Sequence, residues 1–372
     1  MTETYDVIVI GLGGFGSATT YELAKRGAKV LGLEQFELAH ARGSSHGETR
    51  IIRRAYFEHP DYVPLLDYSY DMWHELESES GRELMNLCGL VLAGPADGEA
   101  VPGVLLAKEK YNVRIDAIEY TDAVSRYPQF RFDEAHTVLE EQDAGYLRLD
   151  DCVLTHSDEA GKHGATLRGG EAVTSWSSDG SRVVVETERG KYEAAKLVIA
   201  GGAWSAELLG EFAPKLNVIR KSVFWFSKTQ SAASDWPVFY FENSDGRAFY
   251  GLPGLSGADV KVAEHSGGDD VLNPTEVSRE MADAEHADVS RFTQRALCGL
   301  GSTASKHSVC MYTMSSDGHF VVDRHPQHEN VCIAAGFSGH GFKFTPVIGR
   351  AIAELTLGGA TDLPIGFLSF GR

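Results

Sequence analysis

Cys310 lies in the stretch KHSVCMYT, between a basic pair and an aromatic residue and far from any other cysteine. A cysteine in such a setting can pack in a core, bind a metal, attack a substrate or tether a cofactor. The five cysteines are scattered and form no C-x-x-C pair, so we predict neither a disulfide framework nor a metal site. The choice among the remaining roles depends on the rest of the chain.

A second candidate group is cationic. The segment GSSHGETRIIRR concentrates Arg50, Arg53 and Arg54 beside His46 and Thr49, although the chain as a whole has a net charge of −19. Surface salt bridges are the simple explanation for such a cluster. If the segment faces a binding site, however, arginine can grip a carboxylate in a bidentate fork and stabilise negative charge on a ligand.

Four further residues are single candidates. Lys343 in SGHGFKF is cationic, although an exposed lysine at a strand end would look the same. Tyr250, Lys261 and His265 fall within one predicted sheet, where residues of these types more often satisfy local hydrogen bonds than perform chemistry. The sequence shows no Ser-His-Asp arrangement, H-E-x-x-H motif or Walker loop, which counts against hydrolases, metalloproteases and nucleoside triphosphatases.

The N-terminal residues predict a dinucleotide-binding unit. DVIVI is typical of a buried parallel strand, and SATTYELAKRG predicts the helix that follows it. The G-x-G-x-x-G loop between them contains Gly11, Gly13, Gly14 and Gly16. Its glycines allow a tight turn, a close approach to a pyrophosphate and close helix–strand packing, and the helix N-terminus supplies free N–H groups. Glu34 ends the second strand, where it would bind a ribose and repel a 2′-phosphate.

Two later glycine sites favour FAD over a nicotinamide dinucleotide. AAKLVIAGGAWS is a buried strand that runs into Gly201, and NVCIAAGFSGHGFKF is another that runs into Gly339, Gly341 and Phe342. A bulge or a turn is the plain alternative for each. Three such sites along the chain suit an extended FAD better than a cofactor held mainly by one βαβ unit. We therefore predict that these residues bind FAD.

The order of the patterns predicts a mixed α/β fold, in which a Rossmann-like FAD-binding domain is interleaved with an antiparallel-sheet substrate domain. Residues up to about 82 are predicted to be helical after the first unit, aromatic strands dominate residues 216–265, and the acidic residues 273–287 are predicted to form a solvated helical face. The predicted FAD-binding domain comprises residues 1–82, 147–215 and 311–372, and the substrate domain comprises residues 83–146 and 216–310.

Composition sets broader limits. A chain of 372 residues suits two joined domains, and its acidic balance argues against nucleic-acid binding. No apolar run reaches the ~18 residues of a membrane span, and the chain starts directly with the first predicted strand instead of a signal peptide. We expect a cytoplasmic protein with neither a nucleic-acid nor a membrane partner.

The motifs together resemble those of the monomeric sarcosine oxidases and N-methyl-amino-acid oxidases, covalent-FAD enzymes that oxidise secondary amines with oxygen. The similarity runs from DVIVIGLGGFGS through GSSHGETRIIRRAYFEHPDYVPL, VIAGGAW and FYGLPG to CMYTMSSDGHFVVDRHPQHENVCIAAGFSGHGFKF. It implies a monomer that converts sarcosine or another N-methyl amino acid into the amino acid, formaldehyde and hydrogen peroxide.

The resemblance also implies residue roles. In that family the cysteine of C-M-Y-T carries the flavin through a thioether, so Cys310 is implied as the tether. Arg53 and Lys343 match the clamp on the substrate carboxylate. Lys261 matches the lysine that promotes the reaction of reduced flavin with oxygen.

The remaining matches concern the flavin and the substrate amine. Arg50 is expected to lie against the flavin, with Thr49 and His46 in support. Tyr250 and His265 are expected to position the amine. The predicted catalytic set is Lys261, His265, Tyr250 and Arg50.

Three residues depart from the family pattern. Ser45 and Glu48 stand in the segment that usually reads G-S-H-H-G-D-T-R, and Tyr240 stands where a flexible methionine is common in the substrate pocket. A bulkier, more polar wall can shift preference away from sarcosine. A related oxidase of pipecolate, proline or glycated amino acids is the alternative.

Two different classes of flavoprotein share parts of this pattern. One is an amine dehydrogenase that uses an electron-transfer partner, and Lys261 at the oxygen-activating position argues against it. The second is a non-catalytic FAD sensor, against which the retained carboxylate clamp argues. An oxidase of N-methyl amino acids is therefore the favoured function.

Overall fold

A computed structural model describes residues 3–213 and 215–372, in which eight α-helices and twenty strands are present. The α-helices are α1 (Gly14–Lys25), α2 (Val63–Ser80), α3 (Ala100–Tyr111), α4 (Tyr120–Arg126), α5 (Leu149–Lys162), α6 (Ser205–Leu209), α7 (Asp283–Ala296) and α8 (Thr345–Gly358). The strands are β1 (Glu3–Ile10), β2 (Val30–Leu33), β3 (Thr49–Ile52), β4 (Met85–Asn86), β5 (Leu90–Pro95), β6 (Asp116–Ile118), β7 (His136–Glu141), β8 (Gly145–Arg148), β9 (Thr166–Arg168), β10 (Val173–Ser178), β11 (Val183–Thr187), β12 (Gly190–Ile199), β13 (Leu216–Ser227), β14 (Val238–Glu242), β15 (Ala248–Pro253), β16 (Asp259–Glu264), β17 (Asp269–Asp270), β18 (Lys306–Ser315), β19 (Val321–His325) and β20 (His328–Ala335).

The first sheet is built around β1. Its strand order is β10-β11-β12-β1-β2-β9, and β20 joins β12 and carries β19. Strands β12, β1, β2, β9 and β20 are linked by parallel pairs, and α1 packs between α5 and α8 on one face. Val7 and Val9 face these helices while Ile8 and Ile10 face the opposite core, which explains the continuous apolar run. The predicted mixed α/β fold with a Rossmann-like unit is confirmed.

The glycine loop joins β1 to α1 by close backbone packing. Gly11 has a φ of +88°, and a Cβ atom there would lie 2.5 Å from the carbonyl oxygen of Ala200. A Cβ atom on Gly16 would lie 1.7 Å from the carbonyl oxygen of Gly11. The loop therefore sits tightly on the end of β12, and the N-terminus of α1 opens at the same edge of the sheet.

The second sheet has nine strands. Its order is β17-β13-β16-β15-β14-β5-β7-β6, and β18 pairs with β13. All of its pairs are antiparallel except β14 with β5, so the antiparallel sheet predicted for residues 216–265 is confirmed, and the parallel pair is formed with a strand from outside that range. The two strands are more than a hundred residues apart, and their direction is therefore not set by a hairpin.

A three-stranded sheet of β3, β8 and β4 corrects the prediction of helices up to residue 82. Residues 49–52 form β3 because they pair with β8, almost a hundred residues later, and no local pattern reveals that pairing.

The helical prediction for residues 273–287 is also wrong before Asp283. There the side chain of Arg220 donates to the carbonyl oxygens of Ser278 and Glu280, which holds the segment in a non-helical path.

The division into two domains stays a prediction. The strands of the first sheet lie within residues 3–33, 166–199 and 321–335, whereas β18 crosses the predicted boundary between residues 310 and 311. Within the described parts of the chain, no helix has both the length and the apolar character needed to cross a membrane.

Gly16→Ala should lower the melting temperature strongly, because the added methyl group has no room against the Gly11 carbonyl group. Overpacking of this kind costs about 1–3 kcal/mol or more. Gly161→Ala in α5 is the matched control, since no described residue comes within 4 Å of its added Cβ atom. Calorimetry should show the control stabilised by up to about 1 kcal/mol. Equal melting temperatures for the two variants would contradict this packing.

Candidate active site

One face of the nine-stranded sheet carries most of the predicted polar residues. Strand pairing sets Tyr240 opposite Tyr250, and successive pairs link them across β16 and β13 to β18. Since side chains alternate between the two faces, this register places Tyr240, Tyr250, Lys261 and Cys310 on the same face. Tyr312, two residues after Cys310, shares it.

The segment from Gly47 into the start of β3 lies against this face. The Arg50 guanidinium Nη2 donates to the Sγ atom of Cys310 at 3.3 Å. The Nζ atom of Lys261 donates to the carbonyl oxygen of Gly47 at 3.0 Å and also to that of Thr49. Burial, together with the positive charge of Arg50, holds the pKa of Lys261 well below its ordinary value. These contacts bring Arg50, Lys261 and Cys310 close together.

Arg53 and Lys343 lie at one end of the same cavity, and both are buried. Nη2 of Arg53 donates to both carboxylate oxygens of Glu58, at 2.7 and 2.9 Å. Burial disfavours the Glu58 carboxylate, but Arg53, with additional contributions from His340 and Lys343, outweighs burial, and the pKa of Glu58 falls to about 2. Nζ of Lys343 donates to the carbonyl oxygen of His340 at 2.6 Å, and burial with the Arg53 charge lowers the pKa of Lys343 to about 7. Glu58 therefore forms an ion pair with Arg53, and Lys343 acts on it through its charge when protonated.

Aromatic side chains form the wall beside these cations. The ring centroid of Tyr240 lies 4.9 Å from that of Phe57 and 5.9 Å from that of His265, which is also 5.9 Å from Tyr312. The side chains of Tyr250 and Tyr312 are close enough for each to affect the pKa of the other. Burial lowers the pKa of His265 to about 3, so its ring is neutral at physiological pH. The wall is therefore uncharged but carries hydrogen-bonding groups.

The opposite end of the cavity is formed by the glycine loop and β2. One carboxylate oxygen of Glu34 accepts the backbone N–H of Leu12 at 2.9 Å, and the other accepts that of Phe36 at 3.1 Å. The backbone N–H of Gly14 donates to the Ser45 side chain at 3.0 Å, while the N-cap residue of α1, Gly13, has no side chain to cap the helix. This end therefore offers helix N–H groups and a buried carboxylate.

The two later glycine sites border the same cavity, whose volume is about 350 Å³. Gly201 follows β12, and Gly339 has a φ of +78° beneath the ring of Tyr312, which lies 2.4 Å from where its Cβ atom would be. Gly341 and Phe342 lie on the wall beside them. The three predicted glycine sites thus converge in space.

Five predicted residues are not part of the cavity lining: Gly16, His46, Thr49, Lys261 and Cys310. Gly16 packs inside α1, as expected for the third glycine of the loop. His46 and Thr49 are buried, and the described residues offer no hydrogen-bond partner to Nε2 of His46 or Oγ1 of Thr49. Burial, together with the charge of Arg50, lowers the pKa of His46 to about 3.

Sequence reasoning missed Glu58, Phe57 and Tyr312. Tyr312 could have been found, because it follows Cys310 by two residues in a predicted strand and must share its face. Glu58 and Phe57 follow β3 in an irregular segment, where no periodic pattern indicates which side chains turn inward.

The cavity fits FAD by the character of its two ends. Gly13 and the N-terminus of α1 suit a diphosphate, and Glu34 suits a ribose. At the other end the hydroxyl group of Thr313 borders the cavity and is buried without a partner among the described residues. Arg50 adds positive charge near the reactive end. A Rossmann-like fold with such a site defines a dinucleotide-binding oxidoreductase.

Comparison with known proteins identifies the family. The model of a family described as FAD dependent oxidoreductase matches residues 6–355, and the chain belongs to that family. A monomeric sarcosine oxidase of Streptomyces avermitilis is 39% identical over 373 residues, which cover 98% of this chain and 97% of the relative. An N-methyl-L-tryptophan oxidase of Salmonella dublin is 32% identical over 357 residues, 95% of each chain. The predicted family and the FAD cofactor are confirmed.

The solved structures agree with the fold. The open form of NikD, an unusual amino acid oxidase essential for nikkomycin biosynthesis, superposes with a TM-score of 0.90 at 25% identity. The match covers 99% of this chain and 98% of NikD. The whole chain therefore follows one known architecture.

Binding of a simple carboxylate such as propionate should weaken as the pH rises through about 7, because Lys343 then loses its proton and its attraction for the anion. The bound anion favours protonated Lys343 and so raises its pKa. Binding near pH 7 is therefore accompanied by proton uptake, and the affinity is highest at lower pH. Calorimetric titration between pH 6 and 9 measures the effect, and Lys343→Met should abolish it. The same slope in the variant would contradict the assignment to Lys343.

Proposed function

We propose that the protein is an FAD-dependent oxidase of secondary amines that demethylates sarcosine or another N-methyl amino acid. The products are the amino acid, formaldehyde and hydrogen peroxide. The observation that carries the proposal is the pair of buried cations, Arg53 and Lys343, beside a neutral aromatic wall in the FAD cavity. The cations suit a carboxylate, and the wall suits a methylated amine.

The names of the relatives support this substrate class. Sarcosine is N-methylglycine, so the Streptomyces and Salmonella relatives are both named for an N-methyl amino acid. The word "monomeric" in the first name also supports a single-chain enzyme. Gel filtration tests that part of the proposal against the chain mass of 40.5 kDa.

Each residue of the site has a definite task in this proposal. FAD, when bound, accepts two electrons from the amine and passes them to oxygen. Arg53 and Lys343 hold the carboxylate, for which Glu58 must release the Arg53 fork. His265 is neutral and can accept a hydrogen bond from the substrate N–H, while burial raises the pKa of Tyr250 and keeps it a hydrogen-bond donor. Fixing both ends of the substrate supplies orientation.

The aromatic wall favours a small amino acid. Tyr240 packs against Phe57 and His265 at centroid distances of 4.9 and 5.9 Å, which closes the space beside the cations. A flexible side chain at residue 240 could change conformation to make room for a bulky substrate more easily than this packed ring can. Sarcosine is therefore the first substrate to test.

The proposal is tested with a panel of sarcosine, N-methylalanine, pipecolate, proline and a glycated amino acid. Formaldehyde and hydrogen peroxide should form from sarcosine in equal amounts, and glycine should accumulate. Peroxide without formaldehyde, from pipecolate or proline alone, would replace the demethylase assignment by a cyclic-amine oxidase. No flavin bleaching with any amine would reject the oxidase.

We further propose that Cys310 carries the flavin covalently. Arg50 donates to its Sγ atom at 3.3 Å, so a cation lies directly beside the sulfur that would be joined to the flavin. After acid precipitation the yellow colour should stay with the protein, whereas in Cys310→Ser it should pass to the supernatant. Cys88→Ser is the matched control and should retain the colour. Release of flavin from the unaltered enzyme would reject the tether.

We expect Lys261→Met to slow the return of flavin colour on mixing with oxygen far more than bleaching by sarcosine under nitrogen. The substitution removes a buried amine that lies beside Arg50 and donates to the 47–49 segment. Stopped-flow absorbance measures both half-reactions. Equal slowing of the two would instead assign Lys261 to the support of that segment.

A further inference from the structure

Glu141, at the end of β7, is a buried carboxylate without a role in the site described above. Its Oε1 atom accepts the backbone N–H of Arg54 at 2.7 Å, and its Oε2 atom accepts the backbone N–H of Ala55, also at 2.7 Å. One side chain of the nine-stranded sheet therefore binds two consecutive peptide groups of another segment.

Those peptide groups follow Arg53 directly. Strand β3 ends at Ile52, and the next regular element starts only at Pro60, so the residues between them depend on tertiary contacts for their path. Arg53 itself donates from Nη1 to the carbonyl oxygen of Ala55. The Arg53 guanidinium is thus tied to the same residue whose N–H group Glu141 holds.

We propose that Glu141 is a positioning residue that fixes the orientation of the Arg53 guanidinium and thereby the affinity for the substrate carboxylate. The inference rests on the proposed role of Arg53 as a carboxylate clamp. It predicts that Glu141 affects the binding of carboxylates and not the rate of the oxidation step, because it touches neither the aromatic wall nor the residues near Cys310.

The chemistry of the contact indicates the variant to use. A carboxylate can accept both N–H groups, whereas the glutamine amide has one acceptor oxygen and its NH₂ group would face a second donor. Glu141→Gln therefore keeps the volume and breaks one of the two hydrogen bonds. Glu140→Gln is the matched control, since Glu140 is the adjacent residue on β7 and contacts Arg126 and Tyr127 instead.

The experiment measures propionate affinity by calorimetry and sarcosine kinetics in the holoenzyme, with flavin content and melting temperature recorded for each variant. In Glu141→Gln, the propionate Kd and the sarcosine KM should rise about tenfold, as expected for one lost charge-assisted hydrogen bond. The kcat value should stay within about twofold, because only an interaction made before the chemical step is weakened. Glu140→Gln should leave both constants unchanged.

A double-variant cycle separates positioning from general support. If Glu141 acts through Arg53, adding Glu141→Gln to Arg53→Ala should cause no further loss of propionate affinity. Equal losses in the presence and absence of Arg53 would overturn the inference. If Glu141→Gln does not accumulate in soluble form, Glu141→Asp provides the same cycle with a shortened carboxylate.

The failures of the two proposals can be told apart. Unchanged propionate affinity in Arg53→Ala would remove the clamp, and the inference about Glu141 with it. A weakened affinity in Arg53→Ala, together with an unchanged Kd in Glu141→Gln, would overturn the role of Glu141 alone.

Discussion

The burial of several cations in one cavity is the constraint on which the rest of the structure depends. A cation removed from water is costly unless hydrogen bonds or an opposite charge compensate it. Here backbone carbonyl groups accept from Lys343 and Arg50, while Glu58 pairs with Arg53. Carbonyl groups compensate a cation without neutralising it, so positive potential remains for an anionic ligand.

Irregular segments and the nine-stranded sheet contribute different kinds of group to this cavity. The irregular segments around β3 and after β20 supply the cations, because backbone carbonyl groups there are free to turn toward a side chain. The nine-stranded sheet supplies a neutral wall, since its strands already use their carbonyl groups in pairing. Cys310, Lys261 and Tyr250 lie where the two regions meet, so the pieces of the site come from distant parts of the chain.

Local physics explains what the sequence could predict. Gly11 and Gly16 mark the β1–α1 turn because only glycine fits there, and the two-residue period of a strand places Cys310 and Tyr312 on one face once that strand is assumed. Long-range contacts explain what it could not. The pairing of β3 with β8 joins residues almost a hundred positions apart. Neither Glu58 nor Glu141 belongs to a sequence motif from which its hydrogen-bond partner could be predicted.

The central claim is that the buried cations hold a substrate carboxylate in the FAD cavity. A crystal structure of the holoenzyme with an unreactive N-alkylated amino acid, such as N,N,N-trimethylglycine, tests it most directly. The account predicts the carboxylate in contact with Arg53 and Lys343, Glu58 displaced from Arg53, and the methyl groups against Tyr240 and His265. A ligand bound elsewhere in the cavity, with the Arg53–Glu58 pair intact, would contradict it.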